Sequence, residues 1–191
     1  TAGSRLDRSF MKILILGGAG FLGNSLVRTC LNSGENSVLV VDSLDPCLHS
    51  DRENLADVSD QIEFIQGDIR ESALMRDLVK GQDLVFNCAA QTSHTLSLTN
   101  PSLDAEINCV GNLNVLEAVR QVNPEAVVVY PSTSSVIGRA LTAEINEDHL
   151  ERPLDIYSAH KSVAEKHYQI YAQVHHLKTV VLRFANLYGP Y

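Results

Sequence analysis

Gly17-Gly18-Ala19-Gly20-Phe21-Leu22-Gly23 lies between a short apolar run, Lys12 to Leu16, and a segment with apolar residues at Leu22, Leu26, Val27, Cys30 and Leu31. The apolar run, bounded by glycine, reads as a buried strand. The spacing after it reads as a helix over Phe21 to Leu31 that Gly34 is placed to stop. A glycine turn from strand to helix can bend tightly. It also presents the free N–H groups of a helix start, with their positive dipole end, to an anion. Gly17, Gly20 and Gly23 give the spacing GxxGxxG. By itself that spacing also fits a turn that only tightens helix–strand packing.

The alternation continues downstream. Strands are expected at Ser37–Val41, Ile62–Ile65, Asp83–Asn87, Ala126–Tyr130 and Thr179–Leu182, and helices at Glu71–Val79, Pro101–Val122 and Ile156–His176. Strands that are apolar throughout and alternate with helices belong to a parallel sheet covered on both faces. The expected fold class is therefore α/β, a doubly wound parallel sheet of the Rossmann type with helices on both faces. Thr142 to Pro153 is polar and is expected to be a surface excursion. No internal repeat, low-complexity tract or linker interrupts the pattern.

Composition narrows the function classes. A chain of 191 residues fits one domain with a real core. Its net charge of -8 argues against a nucleic-acid partner, which needs clustered Lys and Arg. No apolar run is long enough to span a bilayer, so no membrane partner is expected. Thr1 to Phe10 has neither periodicity nor the apolar stretch of a signal peptide. It reads as an expression leader before a domain over 11–191, or as a short native arm. Cys30, Cys47, Cys88 and Cys109 show no CxxC spacing and read as buried thiols of a reducing, cytoplasmic setting. His175 and His176 end a helix without ligand partners, and no metal site is expected.

Asp42 ends the second strand, 19 residues beyond Gly23. An acid there can hold the ribose hydroxyls of an adenosine, and no Arg follows at Ser43, Leu44 or Asp45 to welcome a 2′-phosphate. With strand, turn, helix and acid in place, NAD is expected rather than NADP. Asp68 follows the third strand; it can accept from an adenine amino group or cap the next helix. Asn87-Cys88-Ala89-Ala90 closes the fourth strand with small residues, which suit either a cofactor or tight packing.

Tyr157-Ser158-Ala159-His160-Lys161 places Tyr and Lys at i and i+4, on one helix face. A free phenol, with a pKa of about 10, is a poor base at neutral pH, and a neighbouring ammonium stabilises the phenolate. Tyr157 is then a candidate base and Lys161 its partner. A partly buried Tyr beside a surface Lys has the same spacing. Pro131 to Gly138 follows the fifth strand, where loops of parallel sheets bind ligands, and Thr133 offers a hydroxyl to a reacting oxygen.

Taken together, Gly17–Gly23, Asp42, Asp68-Ile69, Cys88–Thr92, Asn108 with Gly111, Ser132–Gly138, Tyr157 with Lys161, and Arg183–Pro190 run in the order of one family. The chain resembles the extended short-chain dehydrogenase/reductases, in their NAD-dependent sugar epimerase/dehydratase group, and within it the UDP-glucose 4-epimerase-like members. The resemblance implies that Phe21 and Leu22 contact the cofactor at the turn, Asp42 and Ser43 meet its ribose, and Asp68 and Ile69 flank adenine. Cys88, Ala89, Ala90 and Gln91 would line the dinucleotide, with Asn108 reaching it from the long helix and Ala185 from the last loop. Thr133, Tyr157 and Lys161 would be catalytic. Thr133, Ser134 and Asn186 would meet a nucleotide-sugar substrate.

The implied chemistry is epimerisation through a transient keto-sugar. A related sugar reductase, dehydrogenase or dehydratase, or a non-catalytic NAD-binding module, remains as the alternative. Family dehydratases usually carry an acid just after the catalytic Thr; Ser134 and Ser135 stand there instead, which favours the epimerase. Ile137 also replaces a Tyr common in this motif. The resemblance further implies homodimers and a C-terminal substrate domain that this chain lacks, so that the chain alone would bind NAD and turn over little.

Overall fold

A computed structural model describes residues 10–48, 50–142 and 144–189. Most of the expected leader, and Pro190, lie outside the described residues; Phe10 is exposed.

The first strand, β1 (Lys12–Leu16), shows why the sheet has two cores. Successive side chains of a strand point to opposite faces. Ile13 and Ile15 pack with Val27, Cys30, Val38, Val40 and Leu55 on one face. Leu14 and Leu16 pack with Met75, Val115, Leu116, Val128, Tyr130 and Tyr168 on the other. The first face is covered by α1 (Phe21–Asn32) and a 3-10 segment, Arg52–Val58. The second is covered by α2 (Ser72–Leu78), α5 (Asn112–Val122) and α6 (Ile156–His175).

The remaining strands are β2 (Ser37–Asp42), β3 (Glu63–Gln66), β4 (Leu84–Asn87), β5 (Val127–Thr133) and β6 (Lys178–Phe184). All pair in parallel, in the order β3-β2-β1-β4-β5-β6. That order is the doubly wound arrangement of dinucleotide-binding sheets, and its direction reverses between β1 and β4. The connections leaving those two strands diverge and open a crevice at their carboxyl ends.

Several expected boundaries move. The helix expected over Pro101–Val122 has three parts: α4 (Pro101–Ala105), a π-helical segment over Glu106–Gly111, and α5. Apolar spacing cannot reveal the one extra residue of a π turn. The pairing of β5 and β6 continues through Pro131↔Leu182, Ser132↔Arg183 and Thr133↔Phe184, beyond the apolar runs. A short helix, α3 (His94–Thr99), follows β4. Helix α6 stops at His175, with His176 in the left-handed region at φ 57°. Cys47, expected to be buried, is exposed on a 3-10 turn over Pro46–Leu48, in which Leu48 and not the cysteine packs against a core.

The polar excursion before α6 is exposed, and Glu151 ties it down. The Glu151 carboxylate receives Lys166 Nζ at 2.7 Å and the guanidinium of Arg183.

The glycine turn depends on missing side chains at Gly17, Gly18 and Gly23, and at the first and last of these the obstacle is backbone. Gly17 has φ +74°, and a Cβ there would meet Ala89 N at 2.6 Å. A Cβ on Gly23 would lie 2.1 Å from Gly17 O and 2.7 Å from Gly18 Cα, both backbone atoms that cannot rotate away. Gly23→Ala should therefore push α1 off the turn and cost about 2 kcal/mol or more. A chemical denaturation midpoint equal to that of the parent would contradict this close approach.

Candidate active site

The crevice above β1 and β4 is a cavity of about 580 Å³. Gly17, Gly20, Phe21, Leu22 and Gly23 line it, so the first turn of α1 faces the cavity with its free N–H groups. Asp42 and Ser43 line the next stretch. The Asp42 side chain is buried and braces the loops around it. Its Oδ2 accepts from Ala19 N at 2.9 Å, and its Oδ1 from Leu44 N at 3.0 Å and Ser50 Oγ at 2.7 Å. Leu44 holds φ 53°, a left-handed conformation that costs a bulky residue energy and that the Asp42 bond supports.

Asp68 and Ile69 also line the cavity. Asp68 does not cap the following helix; Glu71 holds that position. The Asp68 carboxylate instead accepts from Arg70 N at 2.8 Å and pairs with the Arg70 guanidinium at 2.7 Å. Burial raises its pKa, but the hydrogen bonds and charge of Arg70 outweigh burial and hold it below the usual value. Cys88, Ala89 and Ala90 line the opposite wall, and burial pushes the Cys88 thiol up to about 12.

Gln91 and Asn108 stand behind that wall and are not among the lining residues. Both are fully buried: Asn108 Nδ2 donates to Gln91 O at 2.8 Å, and Gln91 Nε2 donates to Asp104. Their amides are used in fixing the loop after β4.

Thr133, Tyr157 and Lys161 meet at the other end of the cavity. Register brings Thr133 there, because it is the last residue of β5. Its hydroxyl accepts from Ser135 N at 3.1 Å and lies 3.0 Å from Ser135 Oγ. Ser134 is exposed and is not part of the lining, while Ala185 and Asn186 border it beyond β6.

The expected partnership of Tyr157 and Lys161 takes a different form. Tyr157 is 7% exposed, and its phenol is pushed up to about 12 by burial and by the Asp104 and Asp155 carboxylates. A hydrogen bond from the Thr133 hydroxyl works the other way. Lys161 is not among the causes, and its ammonium is engaged elsewhere. Nζ donates to Pro131 O at 2.8 Å and sits 4.2 Å from the centre of the Tyr130 ring, a cation–π contact. Burial lowers the Lys161 pKa to about 8. The cavity therefore holds a phenol that keeps its proton and, one helical turn on, a buried ammonium that burial makes easier to deprotonate.

Some lining residues carry no motif in the sequence. His94 follows β4, and Leu48 and Ser50 follow β2. Their common signal is position, since loops at the carboxyl ends of parallel strands form the ligand crevice. Among the described residues no group of three His, Cys, Asp or Glu could hold a metal ion, and no helix is long and apolar enough to cross a membrane.

Comparison with known proteins agrees with this geometry. A sequence model of the NAD dependent epimerase/dehydratase family matches residues 13–191. The CDP-paratose 2-epimerase of Salmonella typhi is 34% identical over an alignment of 197 positions that covers 94% of this chain and 58% of that protein. The UDP-glucose 4-epimerase of Thermus thermophilus, solved in complex with NAD, superposes with a TM-score of 0.84 at 34% identity, over 94% of this chain and 57% of that one. The dTDP-glucose 4,6-dehydratase of Streptomyces venezuelae, solved with NAD bound, gives a TM-score of 0.88 at 29% identity, over 95% and 57%. The chain thus spans a little over half the length of these relatives. With the family's sequence pattern running from β1 to the loop after β6, the chain belongs to the NAD-dependent epimerase/dehydratase family.

Proposed function

We propose that this chain is the NAD-binding part of a nucleotide-sugar epimerase. The observation that carries the reading is one cavity with a cofactor cradle at one end and Thr133, Tyr157 and Lys161 at the other. The cradle suits a dinucleotide. The turn is side-chain-free where a Cβ at Gly17 would meet Ala89, a helix N-terminus faces the cavity, and an acid stands at the tip of β2. A volume of about 580 Å³ is ordinary for a cofactor site. The Asp42 carboxylate would repel a 2′-phosphate, so NAD is the cofactor proposed.

Bound there, NAD supplies a hydride acceptor that can later return the hydride. Tyr157 takes the proton of a sugar hydroxyl, and Thr133 holds the same oxygen. Lys161, still an ammonium at neutral pH, leaves Pro131 O to support the developing phenolate. After the keto-sugar turns over in the site, Tyr157 returns the proton to the other epimer. Asn186 borders the cavity where a substrate would enter, and Ser134 and Ser135 leave no acid next to Thr133 to drive water loss.

Two further properties form part of the proposal. Val163, Ile170 and Val174 are exposed along α6, with Val110 exposed on the neighbouring π segment, which suits a homodimer through these helices. The free cysteines suit a reducing compartment such as the cytoplasm.

In the full-length protein, Tyr157→Phe should lower epimerisation by about 100-fold or more, followed by NMR of the sugar anomers. Unchanged turnover would remove Tyr157 as the base. The chain should bind NAD at least about tenfold more tightly than NADP by calorimetry, since a phosphate would meet a carboxylate. Equal affinities would remove Asp42 from the ribose.

Lys161 also affects folding. Its pKa falls from the usual 10.5 to about 8 in the folded chain. Below about pH 8 the folded chain carries the full cost of a buried ammonium; between about 8 and 10.5 it releases the proton and the cost fades. Lys161→Met should therefore stabilise the chain by about 2 kcal/mol at neutral pH, with no gain above pH 10.5. A denaturation midpoint at pH 7 no higher than the parent's would contradict this.

A further inference from the structure

Tyr157 is flanked by a circuit of hydrogen bonds, closed through the backbone, that the chemistry above leaves unused. Asp155 caps α6, its Oδ1 accepting from Ser158 N at 2.7 Å. Asp155 Oδ2 lies 2.6 Å from His94 Nδ1. On the other side, Asp104 Oδ1 lies 2.6 Å from Nδ1 of His160, one turn along α6. Asp104 Oδ2 accepts from Gln91 Nε2, which also donates to Ser93 O at 2.9 Å. Ser93 caps α3, whose first residue is His94. The circuit thus joins α3, α4 and α6 around the phenol.

His94 lines the cavity and meets Tyr157 directly. The two ring centres are 4.8 Å apart at 71°, an edge-on contact. No described residue partners its Nε2.

We propose that the two His–Asp couples, His94–Asp155 and His160–Asp104, position Tyr157 and screen its phenol from the two carboxylates, with His94 the positioning residue on the cavity side. The proposal rests on the reading of Tyr157 as the base.

The physical argument is one of balance. Asp104 and Asp155 both raise the pKa of the phenol. A carboxylate that receives an imidazole N–H has part of its charge compensated, and one whose imidazole takes up a proton becomes half of a neutral pair. The other groups around the phenol cannot do this. Thr133 is an uncharged hydroxyl, Tyr130 is a buried phenol, and Cys88 is held as a thiol. Lys161 is drawn to Pro131 O and the Tyr130 ring. Compensation of the carboxylates therefore falls to the histidines.

The test reads the phenol without needing turnover. The chain is labelled with 3-fluorotyrosine, whose more acidic phenol titrates before alkaline unfolding, and followed by 19F NMR. The Tyr157 signal is the one that Tyr157→Phe removes. His94→Phe keeps a ring edge against Tyr157 but removes the donor to Asp155. It should raise the titration midpoint of Tyr157 by roughly half a unit to one unit. His94→Gln, which can still donate, should return it towards the parent. Asp155→Asn keeps the helix cap and removes the charge, so it should lower the midpoint, and His94→Phe added to it should have no further effect.

An unmoved midpoint in His94→Phe, or a raised one in Asp155→Asn, overturns the proposal. If His94→Phe does not fold, the Asp155→Asn and His94→Gln results decide. Failure of the epimerase reading would appear separately, as full turnover by Tyr157→Phe, and would leave these midpoints as measured.

Discussion

Everything in the site depends on how closely the glycine turn approaches the tip of β4. Gly17 lies against the Ala89 backbone, and Gly23 against Gly17 O, at distances that leave no room for a side chain. This contact places the start of α1 at the reversal point of the sheet. The crevice then has a fixed width, with α1 on one side and Cys88 to Ala90 on the other. Asp42, at the next strand tip, braces the same turn through Ala19 N. A residue suited to recognising a ribose thus also holds the loop that would meet the phosphates.

The other end of the cavity is built from buried charge. Lys161, Glu165 and Asp104 are almost wholly removed from solvent, and each is engaged. Glu165 receives the guanidinium of Arg183 at 2.6 Å and the hydroxyl of Ser132, so it ties the last residues of β5 and β6 to α6. Thr133 comes next in the chain, and its position follows from that tie. Buried ion pairs often contribute little net stability compared with apolar packing. What this one does is local: it fixes two strand ends at the point where the paired residues become polar and apolar packing stops deciding the register.

The fold was legible because each strand is a short apolar run and each covering helix keeps its spacing. Lys12–Leu16 shows this best, since its residues supply both cores. Legibility ended where hydrogen bonding, not hydrophobicity, sets the structure. Pro131–Thr133 and Arg183–Phe184 continue the ladder in a sequence that reads as loop. The 3-10 segments are too short for periodicity to declare itself. At the site, spacing correctly put Tyr157 and Lys161 on one helix face. It could not show that Lys161 reaches back to Pro131 O, which depends on a carbonyl 30 residues away in sequence. Nor could it show that the Gln91 amide and the Asn108 N–H are engaged in the wall, with Asn108 Oδ1 buried and unpartnered among the described residues. His94 stood in no motif, and its importance comes from Asp155 and Tyr157, which only the folded chain brings beside it.

The π-helical segment between α4 and α5 has a consequence for descent. A π turn is in effect one residue inserted into an α-helix. Upstream of it, Asp104 reaches His160 and Gln91; downstream, Asn112 reaches Asn87 and Tyr168 in the buried core. Deleting one residue there would let the turn return to plain α-helix with both polar clusters still in register, whereas a further insertion would turn one end against the other by about 100°. Loss of one position is therefore the change this stretch can absorb, while the burial of Ile107 and Asn108 and the close approach of Gly111 to Ile69 leave its composition little freedom.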